Sequence, residues 1–414
     1  MRAGTHFRLS LVGLAGVVTL PLVLGVLVLW WPTSGARAAA GDPTVVATVA
    51  VGSHPFGVAA NPGTNRIYVT NETSNSVSVI DGAGNTVVGT PVPVGTFPMG
   101  VAVNASTNRI YVANQTGNSV SVIDGTSNTL VGTPIAVGTQ PRGVAVNPST
   151  NRIYVTNYGS DTVSVIDGAS NTVIGTPVAV TGGSHPMEVA VNPSTNRVYV
   201  AIWSYDRVTV INGATNTVIG TPVAVGSRPS GVAVNPNTNR IYVTNTIGNS
   251  VSVIDGASNT VVGTPVAVGS TPYSLAVNPS TNRIYVTNSG TGRVYVIDGA
   301  SNSVVGDPVL VGANPNGVAV NPSTRRVYVA NWGSNTVSVI QDSYFLLGDC
   351  NGNGQVSMVD AMLIAQRVAG LIGDSDLDLT AADVNCIGGV SMVDAMLVAQ
   401  YVAGLISEFP GCAP

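Results

Sequence analysis

From residue 44 onward the chain alternates apolar and polar positions with period two, in short runs separated by turns. Gly143-Val144-Ala145-Val146 leads through Asn147-Pro148-Ser149-Thr150-Asn151 into Arg152-Ile153-Tyr154-Val155. Ser164-Val165-Ile166 follows, then Asp167-Gly168-Ala169-Ser170-Asn171 and a last run over 172–180. β-Branched residues in the runs and Asn-Pro or Asp-Gly between them predict four strands joined by tight turns. The unit recurs. Tyr68, Tyr111, Tyr154, Tyr199, Tyr242, Tyr285 and Tyr328 share an Arg-(Ile/Val)-Tyr-Val context, at spacings of 43, 43, 45, 43, 43 and 43. One small sheet cannot cover both of its faces, but sheets packed around an axis cover each other. Four strands in 43 residues therefore predict an all-β seven-bladed propeller over 44–341, with Gly-Val-Ala-Val as the innermost strand. The seventh copy stops at 336–340 without its fourth strand, and the chain supplies an orphan strand at 44–51. The N-terminal strand is expected to close the last blade, hiding two edges that would otherwise invite association.

Composition changes the picture at both ends. Only 9% of the 414 residues are charged, and the cations are arginines throughout. No basic stripe interleaved with aromatics exists, which excludes a nucleic-acid partner. Residues 1–40 place Arg2 and Arg8 before an apolar stretch over 9–31 and an alanine run at 38–40. This is the pattern of a signal peptide, or of an N-terminal membrane anchor if it stays uncleaved. Either way the remainder is expected to be secreted or at the cell surface. The tail carries one Arg against nine acids, so a short linker at 342–346 is expected to join the propeller to a separate acidic domain at 347–414. Cys350, Cys386 and Cys412 all lie there, and one disulfide with one spare thiol is expected; Cys350 with Cys412 is preferred because small domains bring their ends together.

In this tail the period becomes helical and a duplication appears, with Asp360 and Asp394 spaced 34 apart. Asp349, Asn351, Asn353, Gln355, Ser357 and Asp360 stand at positions 1, 3, 5, 7, 9 and 12 of an EF-hand-type loop, with Gly354 at the turn. Oxygen donors at this spacing wrap a hard cation, and Ca2+ fits. The second loop offers Asp383, Asn385, Gly389, Ser391 and Asp394, but Ile387 replaces an oxygen donor, so weaker binding is expected there. Each loop leads into a helix, 358–371 and 392–405, forming a small all-α, EF-hand-like domain. Met358, Val359, Met362 and Leu363 add apolar surface beyond the stripe that fills its core, and this surface suits a partner.

The repeat closely resembles the YVTN family of β-propellers, on Tyr-Val-Thr-Asn at residues 68–71, 154–157, 242–245 and 285–288. That resemblance implies the fold and leaves a range of roles, from surface-layer components to binding proteins and enzymes. The tail resembles a type I dockerin, on its twin loops and its place at the C-terminus. This second resemblance implies a calcium-folded module with a cohesin-like partner. In that family positions 10 and 11 of each loop select the partner; here they are Met358-Val359 and Met392-Val393, an apolar departure from the polar pairs common there.

The seven copies also serve as their own alignment. The Asn-Pro and Asp-Gly turns hardly vary, whereas the loop before the innermost strand and the loop after Tyr-Val-Thr-Asn differ from copy to copy. In an up-and-down blade both emerge on one face of the disc, so recognition is expected there. The fourth copy departs furthest. The expected patch is Arg142, Tyr158, His185, Trp203, Tyr205 and Arg228, whose rings and guanidinium groups suit an extracellular glycan or a protein surface. No catalytic residue is expected: His54 and His185 stand on separate copies, Glu72 and Glu188 look isolated, and no axial acid is apparent. The sequence thus reads as an exported, non-catalytic binding and assembly protein. The alternatives are a propeller enzyme, a lyase or glycan-active, carried by the tail, or a surface-layer building block.

Overall fold

The computed structural model describes residues 43–180 and 184–342, together with residues 365, 366, 395 and 398–400 of the tail. Each sequence copy forms one antiparallel sheet, and there are seven. The innermost strand of every blade opens at a proline, from Pro55–Asn61 in blade 1 to Pro315–Asn321 in blade 7. It pairs with the strand bearing the repeated tyrosine, such as Arg152–Asn157 in blade 3, which pairs in turn with Thr162–Asp167. Inner strands of neighbouring blades pack side by side around the axis. Glycine is required at that approach: a Cβ on Gly143 would stand 2.7 Å from the Met187 carbonyl, and one on Gly231 would stand 2.8 Å from that of Tyr273.

The outer strand differs from the continuous run the pattern predicts. In blade 3 it is broken into Thr172–Val173 and Val178–Ala179, which pair with opposite ends of the third strand. Gly175 adopts a φ of 62° between them, and Pro177 has no N–H to offer the ladder. Only blade 7 has an unbroken outer strand. It is the N-terminal Thr44–Ala50, paired with Thr336–Gln341 from Thr44↔Gln341 to Ala50↔Thr336 with a bulge between Val45 and Ala47. The ring is closed by the first residues of the propeller, as the strand count requires.

The core lies between blades. All seven repeat tyrosines are fully buried, each removing roughly 150–250 Å² from water. Tyr154, Val163 and Val165 of blade 3 pack with Val189, Val198 and Ile211 of blade 4. At the closure, Val49, Val337 and Val339 meet Val58, Ile67 and Val69 of blade 1. The polar repeat residues stitch the same seams. The Thr156 hydroxyl accepts from Gly143 N–H at 2.8 Å within its blade and donates to the Met187 carbonyl of the next at 2.5 Å. At the inner-strand ends, Asn147 Nδ2 donates to Asn196 Oδ1 at 2.8 Å, and equivalent bonds join five other seams, including Asn321 to Asn65 across the closure. At the seventh seam Arg325 replaces the accepting Asn, and Asn278 Nδ2 has no partner.

In the tail, Ala365, Gln366, Ala395, Val398, Ala399 and Gln400 are helical, and Ala395 and Val398 are buried. The expected signal or anchor, both calcium loops, the cysteine pair and the partner surface of Met358, Val359, Met362, Leu363, Met392 and Val393 lie outside the described residues. Among the described residues no helix is long and apolar enough to cross a membrane.

Candidate functional site: the axial mouth of the variable face

The two variable loops are tied together in every blade by a backbone bond. Glu72 N–H donates to His54 O, Gln115 to Phe97, Tyr158 to Gln140, Trp203 to His185, Thr246 to Arg228, Ser289 to Thr271 and Trp332 to Asn314. The accepting residue has φ between 49° and 59° in all seven cases. The left-handed corner turns the chain sharply into the inner strand, so the following residues converge on the axis. Phe56, Met99, Arg142, Met187, Ser230, Tyr273 and Asn316 occupy this column, second in each inner strand. One position further in come Gly57, Gly100, Gly143, Glu188, Gly231, Ser274 and Gly317, of which Gly57, Gly100, Glu188, Ser274 and Gly317 line an axial channel.

Above that channel opens a cavity of about 540 Å³, with Phe56, Glu72, Met99, Arg142, Tyr273 and Trp332 among its lining residues. Arg142 forms its floor. The side chain leaves blade 3, crosses the axis and donates from Nη2 to the Tyr273 hydroxyl of blade 6. Its guanidinium lies 5.7 Å from the Phe56 ring centroid and 5.8 Å from that of Tyr158, while Phe56 and Tyr273 meet edge to face at 5.8 Å. Three blades thus meet at one cation. Burial pushes the Tyr273 phenol up, against the pull of the Arg142 charge. On the rim, His54 stacks on Trp332 at 4.1 Å, and Trp332 Nε1 donates to Glu72 Oε2 at 2.9 Å.

The six residues expected to form the patch fall into two groups. Arg142, Tyr158 and His185 are contiguous, with Tyr158 and His185 stacked at 4.6 Å. Trp203 and Arg228 form a second pair, with the guanidinium 5.4 Å from the indole ring. Both Tyr158 and Trp203 pack on the cluster around Met187. Tyr205 lies on the short 3-10 turn Trp203–Tyr205 and is exposed. The patch therefore extends from the axis outward over blades 3 to 5.

Three expectations are corrected. Glu188 is not isolated: it takes the glycine column of blade 4 and lines the axial channel of about 120 Å³ with Gly57, Gly100, Tyr273 and Gly317. An axial acid is thus present. Burial pushes its carboxyl above the ordinary range, while the Arg142 charge pulls it back. Glu72 is not isolated either, being held by Trp332. Phe56 and Tyr273 belong with Arg142, although their copies lie on the far side of the ring. The signal was available in the second column of the inner strands, where seven copies carry six different residues. Among the described residues no cluster of three His, Cys, Asp or Glu side chains could hold a metal.

Residues 36–173 match the family described as lactonase, 7-bladed beta-propeller, and residues 347–403 match the dockerin type I domain. No curated protein matches the chain. Among solved structures, Kuenenia stuttgartiensis hydrazine synthase superposes with a TM-score of 0.62 at 22% identity, covering 70% of this chain and 95% of that one. At that identity the likeness is one of fold. The C-terminal region thus carries a dockerin type I match, on a chain whose described body is a seven-bladed propeller.

Proposed function

We propose that the chain is an exported binding and assembly protein. In this reading the dockerin module attaches it to a cohesin-like partner, and the variable face of the propeller receives an extracellular glycan or protein ligand. The observation that carries the reading is the dockerin type I match over 347–403 on a body with a 540 Å³ cavity at one axial mouth. Asp349, Asn351, Asn353, Gln355, Ser357 and Asp360 form an all-oxygen donor set suited to Ca2+, and the second loop has fewer donors. Calcium bound there would fold the module and so form its docking surface, with Met358, Val359, Met392 and Val393 at the selecting positions. The test is capture of the full chain on immobilised cohesin domains with calcium and with chelator. Retention with calcium and release by chelator are expected; retention unaffected by chelator overturns the reading.

A second reading, a propeller enzyme delivered by the same module, is favoured by Glu188. A carboxyl raised by burial beside Arg142 in a channel below an open cavity is a candidate acid or base. A turnover abolished by Glu188→Gln, with ligand affinity retained, would establish that reading; affinity without turnover on any bound glycan favours binding.

A further inference from the structure

The arginines of the propeller sort by what they face. Arg66, Arg109, Arg240 and Arg283 are each paired with a carboxylate. Arg152, Arg197 and Arg326 donate to backbone carbonyls of the next blade, and Arg293 to that of Pro308. These eight serve the fold. Arg142 does not share their geometry: among the described residues no carboxylate forms an ion pair with it, and Glu188 acts on it through its charge alone. Its one hydrogen-bond acceptor is the hydroxyl of Tyr273. It stands on the floor of an open cavity, with aromatic rings to either side.

The chemistry of that floor is specific. Because the Tyr273 oxygen accepts from Arg142, its own O–H is directed elsewhere and can donate toward the cavity. Burial keeps that phenol protonated at neutral pH. The guanidinium fork retains N–H groups beyond the one used, and a planar fork matches a carboxylate better than a point charge does. Two convergent donors, one charged and one neutral, therefore face an open cavity. The walls offer apolar and ring surface from Phe56, Met99 and Trp332, and polar groups from Glu72, Gln115 and Asn316. Ring surface beside scattered amide and carboxylate groups suits a body that is apolar on its faces and hydroxylated at its edges, as a pyranose is. A volume of about 540 Å³ has room for a terminal residue entering end-on.

We infer that the axial mouth is a subsite for a carboxylate-bearing sugar, a uronic acid at or near a chain end, whose carboxylate is held by Arg142 and the Tyr273 hydroxyl. This rests on the reading of the variable face as a ligand site and narrows its ligand to acidic glycans.

The experiment is calorimetric titration of the full, calcium-loaded chain with a short uronic-acid oligosaccharide and with its methyl ester, which keeps the sugar and removes the charge. Arg142→Gln and Tyr273→Phe are titrated alongside, with Arg240→Gln, at the opposite face, as a cation control. The ester and Arg142→Gln should each lower affinity about ten- to a hundredfold. Tyr273→Phe should lower it about threefold to tenfold, and Arg240→Gln should leave it near the wild-type value. A thermal melt of each variant checks its fold, and the ester comparison needs no variant. Equal binding of acid and ester overturns the inference while the face remains a glycan site. Preference for a sulfated oligosaccharide or an acidic peptide also overturns it. Absence of binding by any glycan or protein probe removes both the inference and the reading beneath it.

Discussion

Replacing Asp342 with alanine perturbs the seam between blades 6 and 7, which a buried ion pair crosses. In three other blades the strand-opening arginine reaches the next blade's backbone: Arg152 donates to Gly213 O at 2.5 Å, Arg197 to Gly256 O at 2.5 Å, and Arg326 to Gly82 O, while Arg66, Arg109 and Arg240 pair with an aspartate of their own blade. Blade 7 ends at Gln341-Asp342 without an Asp-Gly turn, so the blade 6 arginine, Arg283, meets the Asp342 side chain instead. The Nη1–Oδ1 distance is 3.0 Å, and the two side chains are 4% and 0% exposed. Truncating one partner of a buried pair removes part of what compensates the other charge, at a cost of up to about 3–5 kcal/mol. For a propeller of this size that loss corresponds to a fall in Tm of about 5–8 °C. The comparison is Arg240→Gln, which breaks a similar pair with Asp255 at 2.7 Å, but one with both side chains 32% exposed. Solvent screening leaves that pair a minor contribution. Differential scanning calorimetry of the two variants and the double variant Arg283→Met/Asp342→Leu would decide the matter. The double variant should recover much of the loss, since apolar replacement removes both buried charges. A fall for Asp342→Ala no larger than for Arg240→Gln would refute the argument that this clasp holds blades 6 and 7 together.

Removal of residues 44–51 should expose the edge of Thr336–Gln341 and make the protein associate with rising concentration, which light scattering would register against an unchanged monomer mass for the intact chain. Asn321→Ala should cost about 1–3 kcal/mol by leaving a buried partner unsatisfied, whereas Asn278→Ala, at the seam where Nδ2 has no acceptor, should cost less by denaturant titration. Asp81, Asp124, Asp167 and Asp255 accept backbone N–H bonds in their own turns, which hold their carboxyls below the ordinary value of 3.8. Their contribution is thus present above that value and is lost as pH falls through the lower folded values. Converting all four to Asn should flatten the acid limb of a stability-versus-pH curve; an unchanged limb would count against it.

The fold was legible because the repeat states it seven times. Period-two alternation, turn residues and the 43-residue spacing determine the blade, and the missing fourth strand of copy seven points to residues 44–51. The break in each outer strand was less visible, although Gly175 and Pro177 announce it once the ladder is considered. The repeat asparagines were read as turn formers alone. Their second role, the Asn-to-Asn bond from blade to blade, depends on which blades are neighbours, and a local pattern does not contain that. The same limit applies to the site. Arg142, Tyr158 and His185 stand out in the sequence because they are unusual within adjacent copies. Tyr273 lies 131 residues from Arg142 and reaches it only because the ring brings blades 3 and 6 to one axis. Glu188 looked isolated for the same reason: its neighbours come from the inner strands of other blades.

Hydrogen exchange of the full chain, with and without a bound uronic-acid oligosaccharide, tests the central claim most directly. The claim is that the individual face, at its axial mouth, is the surface that recognises ligand. Added protection should appear in peptides covering residues 54–57, 140–143, 271–274 and 331–333, with none at the Asn-Pro turns around 61–66 or 147–152 on the opposite face. Protection confined to that opposite face, or spread equally over both, would contradict it.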